Sequence, residues 1–139
     1  MPRLLLIFPL AVGCVPERAS GSYEAVATPV EDTCGKDLFG AGTVRLQVVQ
    51  LDSGEMGVRG FPLCTRDKDL YECVHIEELQ SDTLHFTKQT TLWVRWTSRD
   101  TFTGELAYDE DCEGCGEGYP CTTRFDLDAS LMEESELEE

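Results

Sequence analysis

The sequence predicts a small all-β domain, an antiparallel sandwich or barrel-like fold of about seven strands held by disulfides. Three observations carry this expectation. Short runs alternating apolar and polar residues recur from Thr43 to Ala129, most of them about 8–12 residues apart. No window shows a sustained helical period. Six cysteines follow residue 33, in a chain whose start reads as an export signal.

Taken in order, Thr43 to Leu51 puts Val44, Leu46 and Val48 on one face and Arg45 and Gln47 on the other. Asp52-Ser53-Gly54 is turn chemistry. Val58 to Cys64 reads as a second strand, and Pro62 favours an edge position. Thr65 to Lys68 reads as a turn, and Leu70 to Ile76 as the returning strand. Glu77 to Gln80 is compatible with one helical turn. Thr83 to Thr87 and Thr91 to Thr97 flank Lys88-Gln89-Thr90 as a hairpin. Thr101 to Tyr108 aligns Phe102, Leu106 and Tyr108, with Gly104 between them. Asp109 to Pro120 reads as a loop. Thr123 to Ala129 turns Phe125, Leu127 and Ala129 inward and Arg124, Asp126 and Asp128 outward.

The amino terminus has a different character. Arg3 is followed by a continuous apolar run from Leu4 to Val12, then by Gly13 and Cys14. Such a run is too short to cross a hydrocarbon core, which needs about 20 residues, and suits the h-region of a signal peptide. Leu10-Ala11-Val12-Gly13-Cys14 resembles the lipobox of bacterial lipoproteins, with Ala11 standing where that family prefers leucine. The resemblance covers residues 1–14. It implies a signal peptide over 1–13, removed just before Cys14, and lipidation of Cys14 by a diacylglyceryl group and acyl chains such as palmitate. Val15, rather than Asp, at the next position implies the outer membrane. The remainder is similar in style to small cysteine-rich envelope lipoproteins of unassigned role. A plain secretory signal cut near Ala19-Ser20, with a secreted or periplasmic product, is the alternative.

Residues 14–33, with Pro16, Ala19, Ser20, Gly21, Ser22, Thr28 and Pro29 and no sustained periodicity, read as a flexible tether, 34–130 as a single β domain and 131–139 as a disordered acidic tail. The chain holds 27 acidic against 11 basic residues, a formal charge of −16. That charge repels nucleic-acid phosphates and anionic headgroups, so no nucleic-acid partner is expected and membrane attachment rests on the lipid anchor. A protein or small-molecule partner stays open.

The cysteines other than Cys14 are Cys34, Cys64, Cys73, Cys112, Cys115 and Cys121, read as three disulfides. Cys64 and Cys73 flank the turn around Arg66-Asp67 and are expected to pair. A bond between Cys112 and Cys115 closes a very small ring. One of these two is therefore expected to pair with Cys121 and the other with Cys34.

The segment Asp109 to Cys121 is the most unusual. Its first reading is a disulfide-stapled surface loop. Asp109, Asp111 and Glu113 are spaced like the opening of an EF-hand loop, but Pro120 stands where the bidentate glutamate belongs, so only a looser calcium site survives. Cys112-x2-Cys115 has zinc spacing, with Cys121, His75 or His85 as further ligands, but thiols in an oxidising compartment pair instead. A redox thiolate needs nearby positive charge, and this segment supplies carboxylates. Gly114-x-Gly116-x-Gly118 opens no helix and is no phosphate cradle. His75 and His85 lack a catalytic motif, and no G-x-S-x-G is present, so no catalytic residue is assigned. Strand alternation separates Leu92, Val94 and Trp96 from Trp93, Arg95 and Thr97, which makes Trp93 with Arg95 the candidate binding face. The resulting expectation is a non-enzymatic envelope lipoprotein with a binding or structural role. The alternatives are a calcium-binding or accessory module using Asp109 to Glu117 and, last, a small secreted hydrolase.

Overall fold

The computed structural model describes residues 18–35, 42–51, 54–62 and 64–133. These form one antiparallel sheet of eight strands with no helix among them: β1 Gly21–Asp32, β2 Thr43–Gln50, β3 Met56–Val58, β4 Thr65–Asp67, β5 Leu70–Gln80, β6 His85–Trp96, β7 Thr101–Glu113 and β8 Cys121–Leu131. The all-β expectation holds in its barrel-like form. The strand order is β3-β2-β1-β8-β7-β6-β5-β4. Strands adjacent in the chain are neighbours in the sheet, save that the seam lies between β3 and β4 and the terminal strands β1 and β8 pair with each other.

The pleat explains the curl. Tyr23, Ala25, Ala27, Leu46, Val48, Tyr71, Cys73, Leu92, Val94, Phe102, Leu106, Phe125, Leu127 and Ala129 all turn inward and are buried. Alanines face large residues across the ladders, Ala27 against Leu127 and Ala129 against Phe102, so the interior fills without a second sheet. Tyr23, Trp96 and Phe102 form an aromatic cluster with centroids 5.2–5.6 Å apart. The outer face of β8 carries Thr122, Arg124, Asp126, Asp128 and Ser130, a polar row unlike the apolar band of a membrane-spanning barrel.

The seam is closed at one end only. Cys64 N–H donates to Met56 O at 3.2 Å, Tyr71 Oη donates to Gly54 O at 2.9 Å, and Cys64 is bonded to Cys73. Arg18 donates from Nη1 to Tyr71 Oη at 2.8 Å and lies over its ring. At the other end β5 runs on beyond β4, and Ile76 and Leu79 are exposed.

Several boundaries differ from expectation. The segment read as tether contains β1, a central strand paired on both sides, so the domain begins well before Cys34. Its inward residues are Tyr23 and two alanines, and a small-residue alternation resembles linker composition. Leu131 ends β8, and buried Met132 donates from N–H to Ser22 O at 2.8 Å, so the carboxyl-terminal segment is ordered through residue 133. The rest of that tail, 134–139, lies outside the described residues, as do residues 1–17, on which the expected signal peptide and the expected lipidation of Cys14 fall. The strand expected over Val58 to Cys64 is instead β3 at Met56–Val58, with Arg59 and Gly60 in a turn, and Thr65 to Asp67 is a strand rather than a turn. Glu77 to Gln80 continues β5, each residue laddered to β6. Lys88 to Thr90 lie inside β6, and the hairpin falls at Ser81–Leu84, where Ser81 N–H donates to Leu84 O at 2.9 Å. Asp109 to Glu113 continue β7.

The disulfides are Cys34–Cys121, Cys64–Cys73 and Cys112–Cys115. The second matches expectation and the other two correct it. Antiparallel pairing of β1 with β8 sets Asp32 against Thr123, which delivers Cys34 to Cys121 with Cα atoms 5.0 Å apart. At the end of β7, Gly114 adopts φ +95°, and the chain folds back so that Cys112 and Cys115 lie 5.6 Å apart, inside the bridging range. A glycine turn thus closes the very small ring that the sequence reading set aside.

Candidate functional site

The ladder β5–β8 builds one site on its outer face. Trp93 on β6 stands in a cross-strand row: Glu72 on β5, Trp93, Glu105 on β7, Asp126 on β8. The next row outward is Leu70, Arg95, Thr103, Asp128. Between them runs a groove of about 600 Å³, lined by Leu70, Trp93, Arg95, Glu105, Asp126 and Asp128 among others. That volume is within the usual range for ligand sites, about 300–1,000 Å³. Trp93 is half-buried and Arg95 exposed, so the two residues of the candidate binding face do share one concave surface.

Gly104 sits on β7 opposite Val94 and Leu127 and contributes backbone to the groove. A Cβ there would stand 1.9 Å from the Trp93 carbonyl oxygen. The bare backbone lets β6 and β7 approach as the sheet coils, directly under the tryptophan.

The charges are unevenly satisfied. Arg95 Nε lies 3.5 Å from Asp69 Oδ2. Arg124 donates from Nη2 to Glu105 Oε1 at 2.7 Å, a bond that holds its guanidinium pKa above the ordinary value, and its Nη1 lies 3.8 Å from Glu31. Among the described residues, Glu72, Asp126 and Asp128 side chains have no ion pair or hydrogen bond. Glu105 and Asp126 face each other directly across β7 and β8, a like-charge pair that costs stability.

The other candidates disperse. Asp109, Asp111 and Glu113 lie on the outer face of one strand, where alternate residues are about 6.8 Å apart, so the three carboxylates do not converge. Asp109 Oδ1 accepts from Thr122 Oγ1 at 2.7 Å and Asp111 Oδ1 from Cys112 N–H at 2.8 Å. Cys112, Cys115 and Cys121, offered as zinc ligands, are bonded to other cysteines. The one metal-like grouping among the described residues, Cys34, Glu110 and Cys121, contains a disulfide and presents no thiolate pair. His75 lies 3.7 Å from Glu77 and His85 2.9 Å from Glu78, on the exposed end of β5 and β6, and neither imidazole meets a hydroxyl or thiol among the described residues.

Asp126, Asp128, Glu105 and Gly104 were not singled out by sequence as site residues. The outward parity of Asp126 and Asp128 was readable; their position beside Trp93 depends on strand register, which spacing alone does not supply. No family model, curated protein or solved structure is detectably similar to this chain, so the site rests on its own geometry.

Proposed function

We propose that this chain is a non-enzymatic lipoprotein of the bacterial cell envelope, held by acyl chains on Cys14, whose barrel presents the Trp93 groove as its binding surface. The groove carries the binding half of the reading: a half-buried tryptophan and an exposed arginine share a concave surface bordered by unpaired carboxylates. Tryptophan and arginine dominate interface energetics more than other residues do. The basic-apolar-small pattern ending at Cys14 supports the anchoring half, and Val15 supports the outer membrane. Six cysteines in three disulfides suit an oxidising compartment.

The test has two parts. Expressed in a bacterial host, the protein should partition into detergent and carry acyl mass on Cys14, while Cys14→Ser should be released or left uncleaved. Wild-type processing and membrane retention in that variant would reject the anchor. Used as bait on an envelope extract, the folded domain should retain a component that Trp93→Ala loses, with melting temperature unchanged. Equal capture by both proteins would reject the groove.

A further inference from the structure

We propose that the groove over β5–β8 docks a lysine- or arginine-bearing extended segment of a protein partner, with a cationic head seated at Trp93 between Glu105, Asp126 and Asp128. This rests on the reading of the groove as a binding surface and names its ligand.

The argument starts from charge. Three carboxylates line the groove, those of Glu105, Asp126 and Asp128; Asp69 beside Arg95 and Glu72 opposite Trp93 flank it, against the guanidiniums of Arg95 in the lining and Arg124 beside Glu105. Both guanidiniums already have partners, Asp69 and Glu105, which leaves Glu72, Asp126 and Asp128 unpaired. The row of Glu72 and Asp126 places an acidic residue on each side of Trp93, Glu72 and Glu105, with Asp126 beyond, and Asp128 stands in the neighbouring row. An aromatic ring flanked by carboxylates is cation chemistry: the ring quadrupole attracts a desolvated ammonium or guanidinium, and carboxylates accept its hydrogen bonds. Glu105 stands directly opposite Asp126, and Arg124 pairs with Glu105 and Glu31 but not with Asp126, which leaves Asp126 without a cation of its own.

Two further observations select the occupant. The chain's formal charge of −16 raises the local concentration of cations and disfavours phosphate ligands. The groove crosses four strands, a span of about 14 Å at about 4.8 Å per strand spacing, or roughly four residues of extended peptide. A neutral sugar would use Trp93 as a stacking platform, yet it leaves the excess of unpaired carboxylates without a role. A basic peptide uses both.

The experiment uses the full disulfide-bonded chain with Trp96→Phe, so that Trp93 alone reports. It is titrated with a capped hexapeptide alternating Lys and Gly, with the same peptide carrying Gln for Lys, and with a neutral glucose hexasaccharide. The expected result is a saturable change in Trp93 emission with the lysine peptide only. Asp126→Asn/Asp128→Asn should weaken it about tenfold or more. Glu113→Gln/Glu117→Gln, an equal charge change on exposed residues outside the groove, should leave it within about twofold. Equal weakening in both double variants, or equal binding of the glutamine peptide, overturns the proposal. A response to the hexasaccharide and none to the lysine peptide also overturns it, while the groove stands as a binding surface. No response of Trp93 to any probe removes both.

Discussion

Gly104→Ala is the most informative single change in the barrel. The new methyl would meet the Trp93 carbonyl oxygen at 1.9 Å and its carbon at 3.1 Å, where real Cβ contacts are not found below 3.0 Å. The obstructing atoms are backbone within the β6–β7 ladder, so no side-chain rotation relieves the overlap. β6 and β7 must separate or lose curvature, at a cost in the overpacking range of about 1–3 kcal/mol. For a domain of this size that is a fall in melting temperature of roughly 4–12 °C, read by far-UV circular dichroism with disulfides intact. Gly57→Ala is the matched control: its Cβ meets nothing within 4 Å, and it should change stability by no more than about 0.5 kcal/mol. Because the moved backbone carries Trp93, the alanine at 104 should also shift Trp93 emission in a Trp96→Phe background. Melting and emission equal to wild type would show that the strands are not in close approach and that the groove floor is misjudged.

The cross-links give a second expectation. Cys34–Cys121 spans 87 residues and Cys112–Cys115 spans 3, so loop-closure entropy makes the first worth about 3 kcal/mol more than the second. Cys34→Ala/Cys121→Ala should therefore melt well below Cys112→Ala/Cys115→Ala, and non-reducing peptide mapping should find both pairings; equal melting would reject the ranking. Alkaline pH should destabilise the barrel through Tyr23. Burial first, then Asp100, raises its phenol from 10.0 to about 12, against a smaller opposing effect of Arg99, and its hydroxyl donates to Ala19 O at 2.5 Å. The unfolded chain releases that proton near pH 10 while the folded one keeps it, so the contribution is whole below pH 10 and lost as pH rises to about 12. Denaturant midpoints of wild type should fall across that window more steeply than those of Tyr23→Phe, and parallel slopes would reject the assignment.

Strands whose alternation uses large side chains were legible. Val44, Leu46 and Val48 mark β2, and Phe125, Leu127 and Ala129 mark β8, because bulky apolar residues at period two suit a half-buried strand and no helix face. β1 was not, since Ala25 and Ala27 with Pro29 carry a linker's composition while filling the small space opposite Leu127 and Ala129. The polar ends of β5, β6 and β7 were hidden for another reason. Glu77, Lys88 and Glu110 occupy one cross-strand row, and complementary charges along neighbouring strands read as loops when each strand is seen alone. Of the site, Trp93 and Arg95 followed from parity within a single strand, but Glu105 and Asp126 enter only through register between strands.

That register also explains why the groove lies where it does. Since β1 pairs with β8, the weak line of the barrel is displaced from the termini to the seam between β3 and β4, where short strands need Cys64–Cys73 and Tyr71 to hold them. Long unbroken pairing runs through β5, β6, β7 and β8, and Trp93, Glu105 and Asp126 stand within it. A binding surface built from strand side chains there is held by backbone hydrogen bonds on both sides of every residue, so its geometry exists before any ligand arrives. Association then orders little of the protein, which favours a small extended segment as partner: such a ligand must itself lose conformational freedom, and a preformed groove leaves that as the main entropic cost of ordering.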